Sequence, residues 1–142
     1  VNRVSDVVRG LSPLSIGVRY GYDDMKHFVW QGFAPAESGF RWTNQRRSAI
    51  YFRLDRATDT TQAHDLKFEV LPNGLQEVVL VINGSEHTER RLSQQQKMVV
   101  ETTPNTLRPG VNVIEILTPW ARIPSNGDQR LLGVAISEIL IH

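Results

Sequence analysis

Two clusters in this sequence combine aromatic and charged side chains at short spacing. The first runs from Trp30 to Thr43, and the second runs from Pro119 to Arg130. Aromatic rings pack against the C–H face of a sugar ring, while arginine, carboxylate and amide groups hydrogen-bond its hydroxyls. This chemistry favours carbohydrate recognition. The candidate ligand-binding residues are Glu37, Arg41, Trp42, Trp120, Arg122, Asp128 and Arg130.

The same side chains have a structural interpretation, which stays open at the level of sequence. Trp30 and Trp42 could fill the core, and pairs of Glu37 or Asp128 with arginines could hold loops together. Trp120 stands between a proline and a polar loop, so it is the strongest candidate for an exposed aromatic ring.

The sequence contains no recognisable catalytic motif, and we therefore expect that the protein is not an enzyme. Glycan cleavage needs two carboxyl groups about 5 to 10 Å apart, one of them a general acid. Glu37 and Asp128 could converge in space, but nearby arginines would keep both ionised, which is wrong for a general acid. The sequence also has no GxSxG nucleophile motif and no glycine loop that would bind phosphate.

No metal ion or other cofactor is predicted. The chain has no cysteine, so disulfides and thiolate metal sites are excluded. Its histidines do not share a metal-ligand spacing, and we expect each at the surface: His27, His64, His87 and His142. A structural calcium held by backbone carbonyls and one aspartate leaves no signature in sequence. That alternative stays open for Asp59, Asp65 and Asp128.

The length and the net charge of the chain indicate how many domains it forms and which classes of ligand it does not favour. The 142 residues are enough for one domain, and a net charge of +1 argues against nucleic acid or anionic membrane as a ligand. The arginine pairs Arg46–Arg47 and Arg90–Arg91 are interpreted as solvated edge-strand charges.

No segment approaches the roughly 18 apolar residues that span a bilayer, so we expect no direct membrane insertion. Because the chain opens on Val1 rather than Met, we expect an accessory module excised from a longer protein.

Alternating apolar and polar residues predict the strands that would position the two clusters. LKFEVL (66–71) and AIYFRL (49–54) alternate with period two, whereas EVVLVI (77–82) is apolar on both faces and indicates a central strand. Asn83–Gly84 predicts a hairpin that leads into the polar edge strand SEHTERRL (85–92). Roughly eight to ten short strands predict an all-β fold, a jelly-roll β-sandwich. We expect an N-terminal extension (1–27) that packs on a jelly-roll domain (28–142).

The order of these features supports a family resemblance that covers Phe28 to Ile141. It rests on strands LKFEV, VVLVING and LRPGVNVIEI and on two motifs: Gly32-Phe33 with Glu37 and Phe40-Arg41-Trp42-Thr43, and Asp128-x-Arg130-x-Leu132-Gly133-Val134-Ala135-Ile136. The chain resembles galactose-binding-like jelly-roll modules. Such modules are attached to bacterial envelope-glycan glycosyltransferases, phosphoglycerol-transferase-like proteins and O-antigen ABC transporters.

The resemblance implies a non-catalytic module that binds a bacterial surface polysaccharide or its building block. Trp120 and Trp42 would stack on sugar rings, with arginines hydrogen-bonding the hydroxyls. The implied partners are the polysaccharide and a parent envelope-glycan enzyme or transporter. We expect it at the bacterial cell envelope, on the cytoplasmic rather than the periplasmic face. The alternative is a structural or interaction domain that docks to its parent enzyme or forms a homodimer through an edge strand.

Overall fold

The computed structural model describes residues 3–142, apart from the side chains of Arg3, Ser5, Glu86 and His87. The predicted surface position of His87 therefore lies outside the described residues. The described chain folds into one short helix and ten strands. They are α1 (Arg3–Arg9), β1 (Arg19–Gly21), β2 (Val29–Gln31), β3 (Arg41–Trp42), β4 (Arg47–Leu54), β5 (Asp65–Pro72), β6 (Gln76–Ile82), β7 (Ser85–Leu92), β8 (Gln96–Glu101), β9 (Gly110–Leu117) and β10 (Val134–Ile141).

The strands form two antiparallel sheets of five strands each. Sheet 1 has the order β1-β10-β5-β8, with β3 also paired to β10, and sheet 2 has the order β2-β4-β9-β6-β7. β1 and β3 share one side of β10, since β3 pairs with Ala135 and Ile136 and β1 pairs with Glu138 to Leu140. The two sheets pack as a jelly-roll β-sandwich, which confirms the predicted all-β fold class.

The core lies between the inner faces of the two sheets. Every second residue of β5 is buried, and the same alternation runs along most of β4, β6 and β9. The sequence predicted this alternation for β4 and β5, and it is confirmed. The largest fully buried side chains are Phe28, Phe52, Leu14, Ile50, Leu66, Ile82, Leu92, Leu107, Ile114, Ile116, Ile136 and Ile139.

The predicted hairpin between β6 and β7 is also confirmed. Asn83 and Gly84 have φ angles of 50° and 87°, the left-handed conformation that a tight turn of this hand requires. β6 is an interior strand between β9 and β7, and β7 is an edge strand, both as predicted. The charged sequence of β7 suits this position, because charged side chains on an edge discourage pairing with another chain.

The N-terminal segment packs against the sandwich and also contributes to it. Val8, Leu11 and Leu14 are buried, and Leu14 forms a bridge with Leu54 of β4. The segment differs from a simple extension because Arg19–Gly21 is a strand of sheet 1. Residues 1 and 2 of this segment lie outside the described residues, and the domain boundary at residue 28 stays a prediction.

Strand directions sort the loops into two groups. Residues 32–46, 73–75, 93–95 and 118–133 connect strands at one end of the sandwich, here called the loop end. Residues 55–64, 83–84 and 102–109 connect strands at the other end, here called the opposite end. Within the part of the chain that the structure describes, no helix is both long and apolar enough to cross a membrane.

Candidate ligand-binding site

All the predicted site residues belong to the loop end. Glu37 lies in the 32–46 segment, Arg41 and Trp42 form β3 within that segment, and the others lie in the 118–133 loop. The two sequence clusters therefore meet at one end of the sandwich, because β10 follows the second cluster and pairs with β3 of the first. The contacts among these side chains depend on the conformations of the loops that carry them.

The start of β10 holds three loops together. The amide of Thr43 donates to the carbonyl of Val134 at 2.8 Å, and the amide of Val134 donates to the Thr43 hydroxyl at 3.1 Å. The amide of Asn73 donates to the carbonyl of Gly133 at 2.8 Å. Gly133 also packs directly against Thr118, which is fully buried. The loop end thus has a rigid base on which side chains can be positioned.

Arg130 connects the two clusters. Its Nη1 lies 2.7 Å from Oε1 of Glu37, and its Nη2 lies 2.6 Å from Oδ2 of Asp128. Asp128 also accepts hydrogen bonds from the Arg130 amide at 2.9 Å and from Nε at 3.0 Å. One guanidinium therefore bridges carboxylates of two loops, and we call this group the Arg130 bridge. The three residues are partly exposed, so they can still contact a ligand.

The Arg130 bridge fixes the ionisation of Asp128. Hydrogen bonds from the side chain and amide of Arg130 lower the pKa of Asp128 to about 2. In turn, the hydrogen bond with Asp128 raises the pKa of Arg130 above its ordinary value. A carboxyl group that stays ionised at neutral pH cannot donate a proton to a leaving group. The arrangement can bind and orient a polar ligand, but Asp128 is not suited to general acid catalysis.

The low pKa of Asp128 predicts a pH-dependent contribution to stability. An unfolded aspartate titrates near pH 3.9, so the stabilisation should be complete above about pH 4 and lost as the pH falls towards 2. Asp128→Asn should therefore lower the midpoint of urea unfolding at pH 6 and have a smaller effect at pH 2.5. Urea titrations followed by circular dichroism would measure this difference, and an equal effect at both pH values would contradict the assignment.

Trp120 is the exposed aromatic residue that the sequence predicted. Its side chain retains 36% of its accessible surface, and its carbonyl accepts a 3.3 Å hydrogen bond from Nε2 of the buried Gln76. The Arg91 guanidinium lies 5.4 Å from the centroid of the ring, within the range of a cation–π interaction. Sequence reasoning missed Arg91, because Arg90–Arg91 has the pattern of an ordinary charged edge strand.

Arg122 supports the neighbouring turn. Its guanidinium donates to the carbonyl of Leu75 and packs on Gly74, where an added Cβ would lie 3.4 Å from the guanidinium carbon. The backbone of Arg122 pairs with Leu132 in both directions, at 3.0 and 2.9 Å. These contacts hold the 73–75 turn against the 118–133 loop.

Arg41 occupies a different environment from the other predicted residues. It is 8% exposed, its Nε donates to the carbonyl of Tyr22 at 2.9 Å, and its guanidinium lies 5.0 Å from the centroid of Trp30. Burial lowers the pKa of Arg41, while the nearby Asp23 opposes this shift. Arg41 therefore holds the 22–25 segment in place.

Trp30 and Trp42 have separate positions. Trp30 packs against the core, and its Nε1 donates to the carbonyl of Asp24 at 2.8 Å, which fits the structural interpretation. Trp42 is half-buried and makes an edge-to-face contact with Phe40, with 5.7 Å between ring centroids. Trp42 thus has Phe40 and the β10 strand as neighbours, whereas Trp120 has Arg91 and Gln76.

Two of the acidic residues considered for metal binding have hydrogen-bond partners within the protein. Among the described residues, no group of three or more histidines, aspartates and glutamates could hold a metal ion. Asp59 accepts a hydrogen bond from the Thr61 amide at 3.0 Å, and the Asp128 carboxylate is engaged by Arg130. A calcium site made of backbone carbonyls and one aspartate stays a prediction.

Comparison with known proteins finds solved structures that share this fold. No protein-family model matches the chain, and no curated protein matches it. A family 35 carbohydrate-binding module from Paenibacillus barcinonensis superposes with a TM-score of 0.57 and 15% identity, over 89% of this chain and 98% of that chain. A carbohydrate-binding module CBM36 in complex with calcium and xylotriose gives a TM-score of 0.53 and 13% identity, over 88% and 99% of the two chains.

A third similar structure is part of an enzyme. The Podospora anserina GH26-CBM35 β-(1,4)-mannanase matches with a TM-score of 0.57 and 16% identity, over 88% of this chain and 27% of that chain. At identities this low the likeness shows a common fold. It agrees with the jelly-roll sandwich described above, which recurs both as separate modules and as a small part of a larger chain.

Proposed function

We propose that this protein is a non-catalytic carbohydrate-binding module. The observation that carries the proposal is Trp120, an exposed indole at the loop end, held beside Arg91. The fold, shared with modules named for carbohydrate binding, supports the same function. Because Arg91 lies over one face of the ring, we expect the sugar to stack on the other face.

The Arg130 bridge supplies the polar part of the proposed site. Glu37 and Asp128 keep Arg130 in one orientation, so its partly exposed guanidinium can donate to hydroxyl groups without first being ordered. Arg122 keeps the 73–75 turn beside the same loop. A shallow surface of this kind leaves hydroxyls partly in water, so we expect weak binding, on the order of micromolar to millimolar dissociation constants.

Non-catalytic binding is supported by the electrostatics of the two carboxylates. Glu37 and Asp128 both contact the same guanidinium, with ion-pair distances of 2.7 and 2.6 Å. A glycosidase needs one carboxyl group protonated and the other ionised across the scissile bond. The Arg130 bridge favours ionisation of Asp128, which supports recognition over cleavage.

The finer proposal concerns the ligand and the setting. We propose a bacterial surface polysaccharide or its building block as ligand, an envelope-glycan enzyme or transporter as parent protein, and the cytoplasmic face of the cell envelope as location. The sequence resemblance supports this setting. The similar module in a mannanase is consistent with attachment to a larger enzyme, because the matched part is 27% of that chain.

The proposal is tested by titrating the protein with a panel of glycans. The panel includes xylotriose, mannotriose and bacterial surface polysaccharides, and binding is followed by intrinsic tryptophan fluorescence and calorimetry. We expect saturable binding of at least one glycan with a shift in tryptophan emission and without release of reducing ends. Silence across the panel would contradict carbohydrate binding, and release of reducing ends would contradict the non-catalytic assignment.

A docking or dimerisation domain is the second candidate, and one observation favours it. β8 lies at one edge of sheet 1, and its Val99 side chain is 41% exposed. An edge with an exposed apolar residue can pair with another strand. Light scattering across a concentration series tests this candidate, since a dimer should dissociate when Val99 is replaced by lysine.

A further inference from the structure

A second polar site lies at the opposite end of the sandwich. The β6–β7 hairpin and the β8–β9 connection enclose an open cavity of about 240 Å³, here called the polar cleft. Its polar lining consists of Asn83, Ser85, Thr103, Asn105, Thr106 and Arg108. No described residue that lines it has a carboxylate or an aromatic ring. The cleft therefore differs in chemistry from the loop end, where Trp120 and two carboxylates are found.

Two asparagines give the polar cleft a fixed frame. Nδ2 of Asn83 donates to Oδ1 of the buried Asn112 at 2.8 Å and to the carbonyl of Thr106 at 2.9 Å. Oδ1 of Asn83 accepts from the Val113 amide at 3.0 Å. The side chain of Asn83 thus joins the hairpin both to the 102–109 loop and to β9. Such a satisfied buried network holds the walls of the cleft in one arrangement.

Arg108 is positioned by its backbone and leaves its guanidinium at the cleft. Its amide donates to Oδ1 of Asn112 at 2.8 Å, and its carbonyl accepts from Nδ2 of Asn112 at 2.8 Å. The guanidinium makes one long contact, 3.5 Å from Nη2 to the carbonyl of Asn83. Among the described side chains, no carboxylate forms an ion pair with Arg108. This cation has most of its hydrogen-bonding capacity available for a ligand.

The remaining polar groups that line the cleft can hydrogen-bond the hydroxyl groups of a ligand. Thr103 and Thr106 share a hydrogen bond between their hydroxyl oxygens at 2.7 Å, so each keeps further capacity for a ligand. Asn105 has a φ of 66°, and its backbone N–H donates to the carbonyl of Thr60, which fixes the residue at the tip of its turn. Ser85 adds an exposed hydroxyl from the hairpin.

We propose that the polar cleft binds the carboxylate of an acidic monosaccharide. Arg108 pairs with the carboxylate, and the hydroxyl and amide groups of Ser85, Thr103 and Asn105 bind the ring hydroxyls. A cavity smaller than the roughly 300–1,000 Å³ of drug-sized sites accommodates one sugar ring rather than a long chain. The cleft has no aromatic ring on which a sugar could stack, so a neutral sugar would compete with water through hydrogen bonds alone. We therefore expect the positive charge of Arg108 to favour an acidic sugar over a neutral one.

This site is independent of the loop end and extends the proposed function. A module with an aromatic platform at one end and an acid-sugar cleft at the other can contact two parts of one polysaccharide, or two chains. The ion pair is exposed, so binding should be weak, on the order of millimolar, and should decrease with added salt.

The experiment is an NMR titration of the isotope-labelled protein at low ionic strength. The probes are sodium glucuronate, glucose and sodium sulfate, each added in turn. We expect glucuronate to shift the backbone amides of residues 83–85, 103 and 105–108 saturably, and glucose to leave them unchanged. Arg108→Gln should weaken glucuronate binding at least fivefold. Arg56→Gln removes an exposed arginine from the same end of the sandwich but outside the cleft, and it should bind as the unmodified protein does.

The outcomes separate this proposal from the one for the loop end. Absent shifts at the cleft, an equal response to glucose, or unchanged binding by Arg108→Gln would each overturn it. An equal response to sulfate would show an adventitious anion only, which also overturns it. Asn105→Gly keeps the left-handed φ and removes the amide, so weaker glucuronate binding by this second variant supports the proposal. Amides around Trp120 report separately on the loop end.

Discussion

Replacement of Trp120 by alanine is expected to weaken carbohydrate binding at least tenfold while leaving the fold intact. A tenfold loss corresponds to about 1.4 kcal/mol, a reasonable contribution for one aromatic ring that packs against a sugar. Trp120 is 36% exposed and lies outside the core, so its truncation should have little effect on unfolding. Calorimetric titration with the tightest glycan from the panel measures the change in affinity, and thermal unfolding checks the fold.

Two further variants show whether the effect belongs to Trp120 itself. Ile123→Ala removes an exposed apolar side chain, 54% accessible, from the same loop, and it should keep the affinity of the unmodified protein. Trp42→Ala removes the ring beside Phe40, so a loss of affinity there would extend the platform to Trp42. If Trp120→Ala binds as tightly as the unmodified protein, Trp120 is not the stacking residue.

Replacement of Gly133 by alanine is expected to lower the free energy of unfolding by about 1–3 kcal/mol, the usual effect of overpacking a core. A Cβ at this position would lie 2.5 Å from the hydroxyl oxygen and 2.7 Å from the Cβ of Thr118. Thr118 is fully buried, and its amide donates to the carbonyl of Arg46 at 2.8 Å, so it has little room to move. Urea unfolding measures the change.

The matched control is Gly10→Ala, because a Cβ there would be no closer than 3.5 Å to the nearest atom, the carbonyl oxygen of Val7. Its unfolding midpoint should stay within the scatter of the unmodified protein. A Gly133→Ala variant as stable as Gly10→Ala would mean that the loop base can relax around the added methyl. Because Gly133 also organises the loop end, we expect its substitution to weaken glycan binding as well.

The strands were predictable wherever one face is buried. The alternation in β5 follows from the sequence because a one-residue shift would expose Leu66, Phe68 and Val70 together. The β6–β7 hairpin was equally clear, since Asn83 and Gly84 adopt the left-handed conformation with little strain. Both features depend only on residues that are close in the sequence, so they can be predicted without knowledge of the tertiary structure.

The contacts at the loop end depend on partners far apart in the chain. Sequence placed Glu37 and Asp128 near arginines, but the shared partner, Arg130, follows from the pairing of β3 with β10. Burial of Arg41 depends on the 22–25 segment, for which the sequence had no clear pattern. A register shift between Ile136 and Glu138 likewise breaks the alternation of β10, so that Ile136 and Ile139 are both buried.

The central position of β10 in sheet 1 sets the order in which the protein can fold during synthesis. β10 pairs with β1, β3 and β5, yet it is the last of these strands to leave the ribosome. Until Val134–Ile141 emerges, β1 and β3 have no neighbour in their sheet, and β5 has β8 alone. Pairing across such long sequence separations is slow, because the closure of large loops precedes the gain from contacts. Premature termination in the 118–133 loop would therefore leave an open, aggregation-prone half-sandwich instead of a shortened binding module.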